Sequence, residues 1–206
     1  MRINQEKYGT EHPSTLASMA NLASTYWNQG RWNEAEKLEI HVMEIFKTVL
    51  GAEHPDTLNS MASLASTYWN QGRWNEAEKL EIHVMEISKT VLGAEHPDTL
   101  NSMASLGYTW KSQGRLSDAV ALMKTCCRLC NKVLGPDHPD TRYSSFALGN
   151  WEDEHNLLLT DKRPPASPQI QQSEHHHEEA RVYTMSINTA LAHDLADSST
   201  SGYNAC

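Results

Sequence analysis

One segment of this chain recurs. Gly51-Ala52-Glu53-His54-Pro55-Asp56-Thr57-Leu58 leads into a Met/Leu/Ala/Tyr pattern, then Gln71-Gly72-Arg73, then Trp74-Asn75-Glu76-Ala77-Glu78-Lys79-Leu80. The unit fills 51–92, is present nearly verbatim over 9–50, and returns with more drift over 93–134. A fourth copy starts at Gly135 and fades after Trp151. Such a period restricts the chain to a stack of small units, because one unit alone leaves half its apolar surface wet and must borrow its neighbour's.

Each unit reads as two helices. Pro55 suits a first helical turn, where the missing N–H costs nothing, and Asp56 adds negative charge at the positive end of the helix. Leu58, Met61, Leu64, Ala65 and Tyr68 recur every three or four residues and mark one apolar face. Gly72 supplies a left-handed stop. A second helix carries Trp74, Ala77, Leu80, Val84, Ile87 and Val91 on its apolar side, and Gly93 ends it. The pattern predicts helix A near 55–71 and helix B near 74–92. Ala65 and Ala77 sit where the two helices cross closely. Glu76, Glu78, Glu81 and Glu86 read as a solvated face, partly neutralised by Lys79 and Lys89.

The offsets of Leu64-Ala65, Tyr68, Gly72 and Ala77 resemble those of the tetratricopeptide repeat (TPR). The flanks Gly51 to Leu58 and Glu76-Ala77-Glu78-Lys79-Leu80 resemble the longer repeat of kinesin light chains. They are equally similar to arrays in fungal and bacterial signalling proteins, where such repeats follow a nucleotide-binding switch domain. The resemblance covers Met1 to about Trp151 and implies an all-α, right-handed solenoid of antiparallel helix pairs. Its repeats would occupy 9–50, 51–92 and 93–134, with a partial fourth over 135–159 acting as a cap. Glu81 departs from the general repeat, which prefers an aromatic there, and predicts a local change in helix B packing.

The ends differ from the middle. Met1 aligns with Met43 and Ile3 with Ile45, so 1–8 reads as the end of a helix B whose helix A is missing. This predicts a fragment with an exposed apolar edge beside the first repeat, through which the chain could self-associate. Over 135–159, Phe146, Leu148 and Trp151 are the expected apolar positions of one last helix. Beyond 160 the run Lys162-Arg163-Pro164-Pro165-Ala166-Ser167-Pro168 cannot be helical throughout. The polar remainder predicts a flexible, low-complexity tail, with a short helix over 178–195 as its only regular segment.

Composition removes several function classes. Nothing near Met1 resembles a secretory leader, and no run approaches the roughly 20 apolar residues that span a bilayer. The net charge of −9 argues against nucleic acid, whose phosphates need clustered Lys and Arg. The four cysteines, three of them in one predicted helix, fit a reducing, cytoplasmic setting better than a disulfide framework. No phosphate loop, His-Glu-x-x-His or nucleophile elbow is present, so no catalytic residue and no cofactor are assigned.

The remaining expectation is a non-enzymatic scaffold that binds a protein or peptide partner. If helix B covers the Leu64/Tyr68 face of helix A, the opposite face is open. It carries Asn59, Ala62, Ser63, Ser66, Trp69 and Asn70 in the second repeat, Asn21, Trp27 and Asn28 in the first, and Ser105 and Lys111 in the third. Side-chain amides can pair with an extended backbone, and Trp offers flat apolar area with one donor. The resemblance implies the same groove, and Asn21 falls where kinesin light chains use groove asparagines; Ser63 and Ser105 depart from that. For Trp27 and Trp69 two readings stay open: contact with a ligand, or packing between adjacent helices. Sensor fragment of a nucleotide-dependent switch and kinesin cargo adaptor are the alternative roles that the resemblance implies.

Three further clusters read as structural. His12, His54, His96 and His138 each precede a Pro in a different loop, too far apart for one metal, and belong to the turn into helix A. Cys126, Cys127 and Cys130 lack a second ligand pair for zinc and read as small packing residues. His175-His176-His177 has nothing to fix a coordination geometry.

Overall fold

The computed structural model describes Gly9 and residues 12–160, and within these the chain forms helices and no strands. Expectations for 1–8, for the proline-rich run, for His175-His176-His177 and for a helix over 178–195 lie outside the described residues. The helices are α1 (Pro13–Asn28), α2 (Trp32–Val49), α3 (Pro55–Asn70), α4 (Trp74–Val91), α5 (Pro97–Ser112), α6 (Leu116–Val133) and α7 (Pro139–Leu159). They alternate as helix A and helix B of successive repeats, within a residue or two of the expected bounds.

Each helix A starts the same way. The histidine before the proline is the N-cap, and its Nδ1 accepts the backbone N–H two residues on: Ser14 to His12 at 3.2 Å, Asp56 to His54 at 3.2 Å, Asp98 to His96 at 3.2 Å and Asp140 to His138 at 3.3 Å. The recurrent histidine is thus a side-chain cap in a role usually filled by Ser, Thr, Asp or Asn. The hydroxyls of Thr15, Thr57 and Thr99 reach back to the carbonyls of Gly9, Gly51 and Gly93, each at 2.8 Å, and close the entry loop. Gly51 (φ 98°) and Gly72 (φ 74°) hold left-handed backbone that a side chain would strain. Replacing His54 by alanine is expected to destabilise the chain by about 1 kcal/mol, the usual worth of an N-cap, in urea unfolding followed by circular dichroism. A value indistinguishable from zero would remove the capping role.

The chain divides into two compact units, one holding residues up to Leu80 and the other starting at Glu81. In the first, α2 packs against both α1 and α3. Its core includes Leu16, Met19, Val42 and Phe46, with Leu38 and Ile45 packed alongside. On α3, Leu58, Met61, Leu64 and Ala65 are buried as the periodicity predicts, with Tyr68 half-buried; the buried Ala77 opens α4. Full burial of a Leu such as Leu64 stabilises by about 1.5–3 kcal/mol. The turn before α4 is tied back to α2. Arg73 donates to Glu36 at 2.8 Å, Gln71 donates to the other Glu36 oxygen at 2.8 Å, and the Arg73 guanidinium stacks 4.1 Å above the Tyr68 ring. Burial opposes ionisation of Glu36, but these two donors outweigh it and hold its carboxyl below the usual range.

In the second unit α6 packs against α5 and α7. Met123 and Leu106 are wholly enclosed. Gly107 takes the place of Ala65: a Cβ there would stand 3.3 Å from the Met123 methyl and 3.6 Å from the Trp151 ring. Trp151 meets Tyr108 edge-on, centroids 5.0 Å apart at 88°. Lys111 pairs with Glu154 at 2.8 Å, and Lys124 with Glu152 at 2.8 Å.

Three expectations need correction. Glu81 is not part of a solvated face; it is buried, as is its counterpart Glu39 in the first repeat. Both replace an apolar residue within the stripe that helix B turns inward, as in Ala35, Glu39, Val42 and Phe46 of α2. Val91, assigned to the apolar side of helix B, is exposed, because it lies in the last turn of α4. Phe146, taken as an apolar contact of the last helix, is 62% exposed, because α7 turns Ser144, Ala147 and Trp151 inward instead. The exposed large apolar side chains of α7 are Tyr143, Phe146, Leu157, Leu158 and Leu159, whereas Leu16, Met19, Ala23 and Trp27 of α1 are buried.

Candidate functional site

The face of helix A turned away from helix B is the candidate surface, and its residues separate by depth. On α1 the stripe Asn21 and Asn28 is exposed, one helical face apart from the buried Leu16, Met19 and Ala23. On α3, Asn59 and Ser63 are half-buried, while Ser66 and Asn70 are buried. The Asn70 side-chain N–H donates to the Ser66 carbonyl at 2.8 Å, which fixes its rotamer. On α5, Ser105 is half-buried. Lys111, on the same helix, leans on Glu154 with its side chain 13% exposed, which neutralises the one cation of the set.

Trp27 and Trp69 are buried, at 3% and 5% exposure. Of the two readings left open by the sequence, packing between helices describes them as they stand. The Trp27 indole N–H is buried with no hydrogen bond among the described residues. Such a donor costs about 1–3 kcal/mol if left unmet.

The sequence reading missed a second polar set beneath this surface. Glu39 on α2 is 7% exposed and faces Thr67 of α3, whose hydroxyl approaches it without a well-formed hydrogen bond. Burial raises the Glu39 carboxyl to about 7; Thr67 tempers the rise and the charge of Glu36 adds to it. The signal was available in the spacing, since Glu39 falls in register with Ala35, Val42 and Phe46. Among the described residues no group of three His, Cys, Asp or Glu side chains could hold a metal ion, and no helix is long and apolar enough to cross a membrane.

What the surface can do chemically is pair amides and hydroxyls with the backbone of a bound segment. It offers no nucleophile–base pair.

Comparison with known proteins places this arrangement. A family model of the tetratricopeptide repeat matches residues 1–48, 15–81 and 61–132. No curated protein sequence matches. Among solved structures, a kinesin light chain-type protein of Podosopora anserina with nearly identical TPR-like repeats is 29% identical. The likeness covers 89% of this chain and 81% of that one, with a TM-score of 0.64. A single-substitution variant of that protein is also 29% identical, over 88% and 80% of the two chains, with a TM-score of 0.65. BtubC (BKLC) of P. vanneervenii shares the fold at 15% identity, over 100% of this chain and 88% of its own, with a TM-score of 0.61. The helix pairs, the small residues at their crossing and the family match agree: the chain belongs to the tetratricopeptide repeat family, and its repeats are similar to those of the kinesin light chain-type protein.

Proposed function

We propose that this protein is a non-enzymatic scaffold that holds an extended segment of a partner protein along the open faces of the A helices of its first unit. Asn21 and Asn28 on α1, with Asn59 and Ser63 on α3, supply the pairing groups in the first unit. In the second unit, taken by itself, Ser105 and the Glu154-paired Lys111 lie on the corresponding face of α5. Trp27, Ser66, Trp69 and Asn70 form the floor beneath. The observation that carries this reading is the alignment of side-chain amides, exposed on α1, on helices whose opposite faces are consumed by packing. Amides offer a donor and an acceptor each, which an extended backbone matches. Tetratricopeptide repeats generally mediate protein–protein contact, which supports the class of partner.

The test is a peptide array probed with the whole chain and with the combined variant Asn21→Ala, Asn28→Ala, Asn59→Ala, Ser63→Ala. Binding to the captured peptides is expected to weaken by at least about tenfold, roughly 1.4 kcal/mol, at unchanged helix content. Undiminished binding by a variant that keeps its helix content would overturn the assignment.

A further inference from the structure

The three cysteines of α6 are not equivalent. Cys126 and Cys130 stand one helical turn apart on a single face, 1% and 2% exposed, with their sulfur atoms 3.8 Å apart. The Cys126 sulfur also lies 3.4 Å from the Leu100 carbonyl of α5, and the Ser144 hydroxyl of α7 lies against both thiols. Cys127 is the next residue round the helix and faces elsewhere. The earlier copies carry Val84 and Ser88, or Val42 and Phe46, at the two paired positions, so the dithiol belongs to the third repeat alone.

We propose that Cys126 and Cys130 form a two-coordinate binding site for one soft divalent cation. Geometry separates this from the other uses of two thiols. A disulfide needs its Cβ atoms about 3.5–4.5 Å apart, whereas residues one turn apart on an intact helix hold theirs at about 5–6 Å. Oxidation would therefore have to break the turn. A cation with two metal–sulfur bonds of about 2.3 Å holds its sulfurs at most about 4.6 Å apart, which a small side-chain rotation reaches from 3.8 Å. Zinc in a structural site wants four ligands, and no third one converges here among the described residues. Thiolates select soft cations.

Charge selects the valence. A divalent cation and two thiols give a neutral bis-thiolate and release two protons to solvent. A monovalent cation reaches neutrality with one thiolate alone and leaves the second sulfur a protonated, weak ligand.

The probe is mercuric chloride, added at one equivalent to the full chain in a Cys206→Ser background, with excess glutathione as a competing monothiol. Retained mercury is measured by intact-protein mass spectrometry after gel filtration. Three variants borrow side chains that the preceding copy already folds with: Cys126→Val, Cys130→Ser and Cys127→Met. The parent chain and Cys127→Met are expected to keep one ion per chain, whereas Cys126→Val and Cys130→Ser hold it at least about tenfold more weakly. Failure of the parent chain to retain mercury, its loss on Cys127→Met, or full retention by Cys126→Val or Cys130→Ser would each overturn the site. Unchanged helix content in all four proteins separates lost ligation from lost fold.

Discussion

Replacing Trp151 by alanine is expected to destabilise the second unit by about 3–5 kcal/mol, the range for truncating a large buried aromatic. Trp151 is 1% exposed and meets Tyr108 edge-on at 5.0 Å. It also packs against Gly107, where an added Cβ would stand in ordinary contact, 3.6 Å from its ring. The remaining buried residues of α7, Thr141, Ser144 and Ala147, are small, so the indole supplies most of the apolar area that holds this helix. Urea unfolding followed by circular dichroism gives the free energy, and hydrogen exchange along α7 shows whether this helix opens first. Phe146→Ala is the matched control. It removes a comparable aromatic five residues earlier on the same helix, but one that is 62% exposed, and should change stability by less than about 0.5 kcal/mol. Similar losses for the two substitutions would mean that α7 is seated on a different face.

The contrast between Trp151 and Phe146 shows what the sequence could carry. The repeat named the helices, their caps and the inward stripe of α3, because Leu58, Met61 and Leu64 have one favourable environment and a period that supplies it. Phe146 was misplaced because the fourth copy has drifted: Ala104, at the matching place in the third, is small and buried, and the substitution to Phe gives no clue that this position on α7 is exposed. Trp27 and Trp69 were ambiguous for another reason. An A-helix has apolar residues on more than one face, and depth along the border between them depends on how closely neighbours approach. Asn28 and Asn70 make the point sharply, since the same residue in the same register is exposed on α1 and buried on α3. The buried glutamates were missed because a carboxyl group is read as charged until its surroundings say otherwise.

Glu39 makes that last statement measurable. Its carboxyl is enclosed between α2 and α3, raised to about 7 chiefly by burial, with the negative charge of Glu36 adding to the rise and Thr67 moderating it. Glu36 is itself engaged by Arg73 and Gln71, so no cation is left over to pair with Glu39 from that side. A folded-state value above the unfolded one means that the native state holds its proton longer. The contribution of Glu39 to stability is therefore complete below about pH 4.5 and is lost as pH rises through about 7. Over that window the loss amounts to about 3 kcal/mol, at about 1.4 kcal/mol per pH unit. The difference in unfolding free energy between wild type and Glu39→Gln isolates this group, because every other titration cancels. That difference should slope between pH 4.5 and 7 and flatten above it. The third repeat supplies the stronger substitution: it has Met123 at the matching position, wholly buried. Glu39→Met is expected to raise stability at pH 8 by about 1–4 kcal/mol, as when buried ionic groups give way to apolar ones of similar volume. A Glu39→Gln difference flat across the window would show that water reaches the carboxylate. In that case the floor beneath the A helices is wetter than its packing implies.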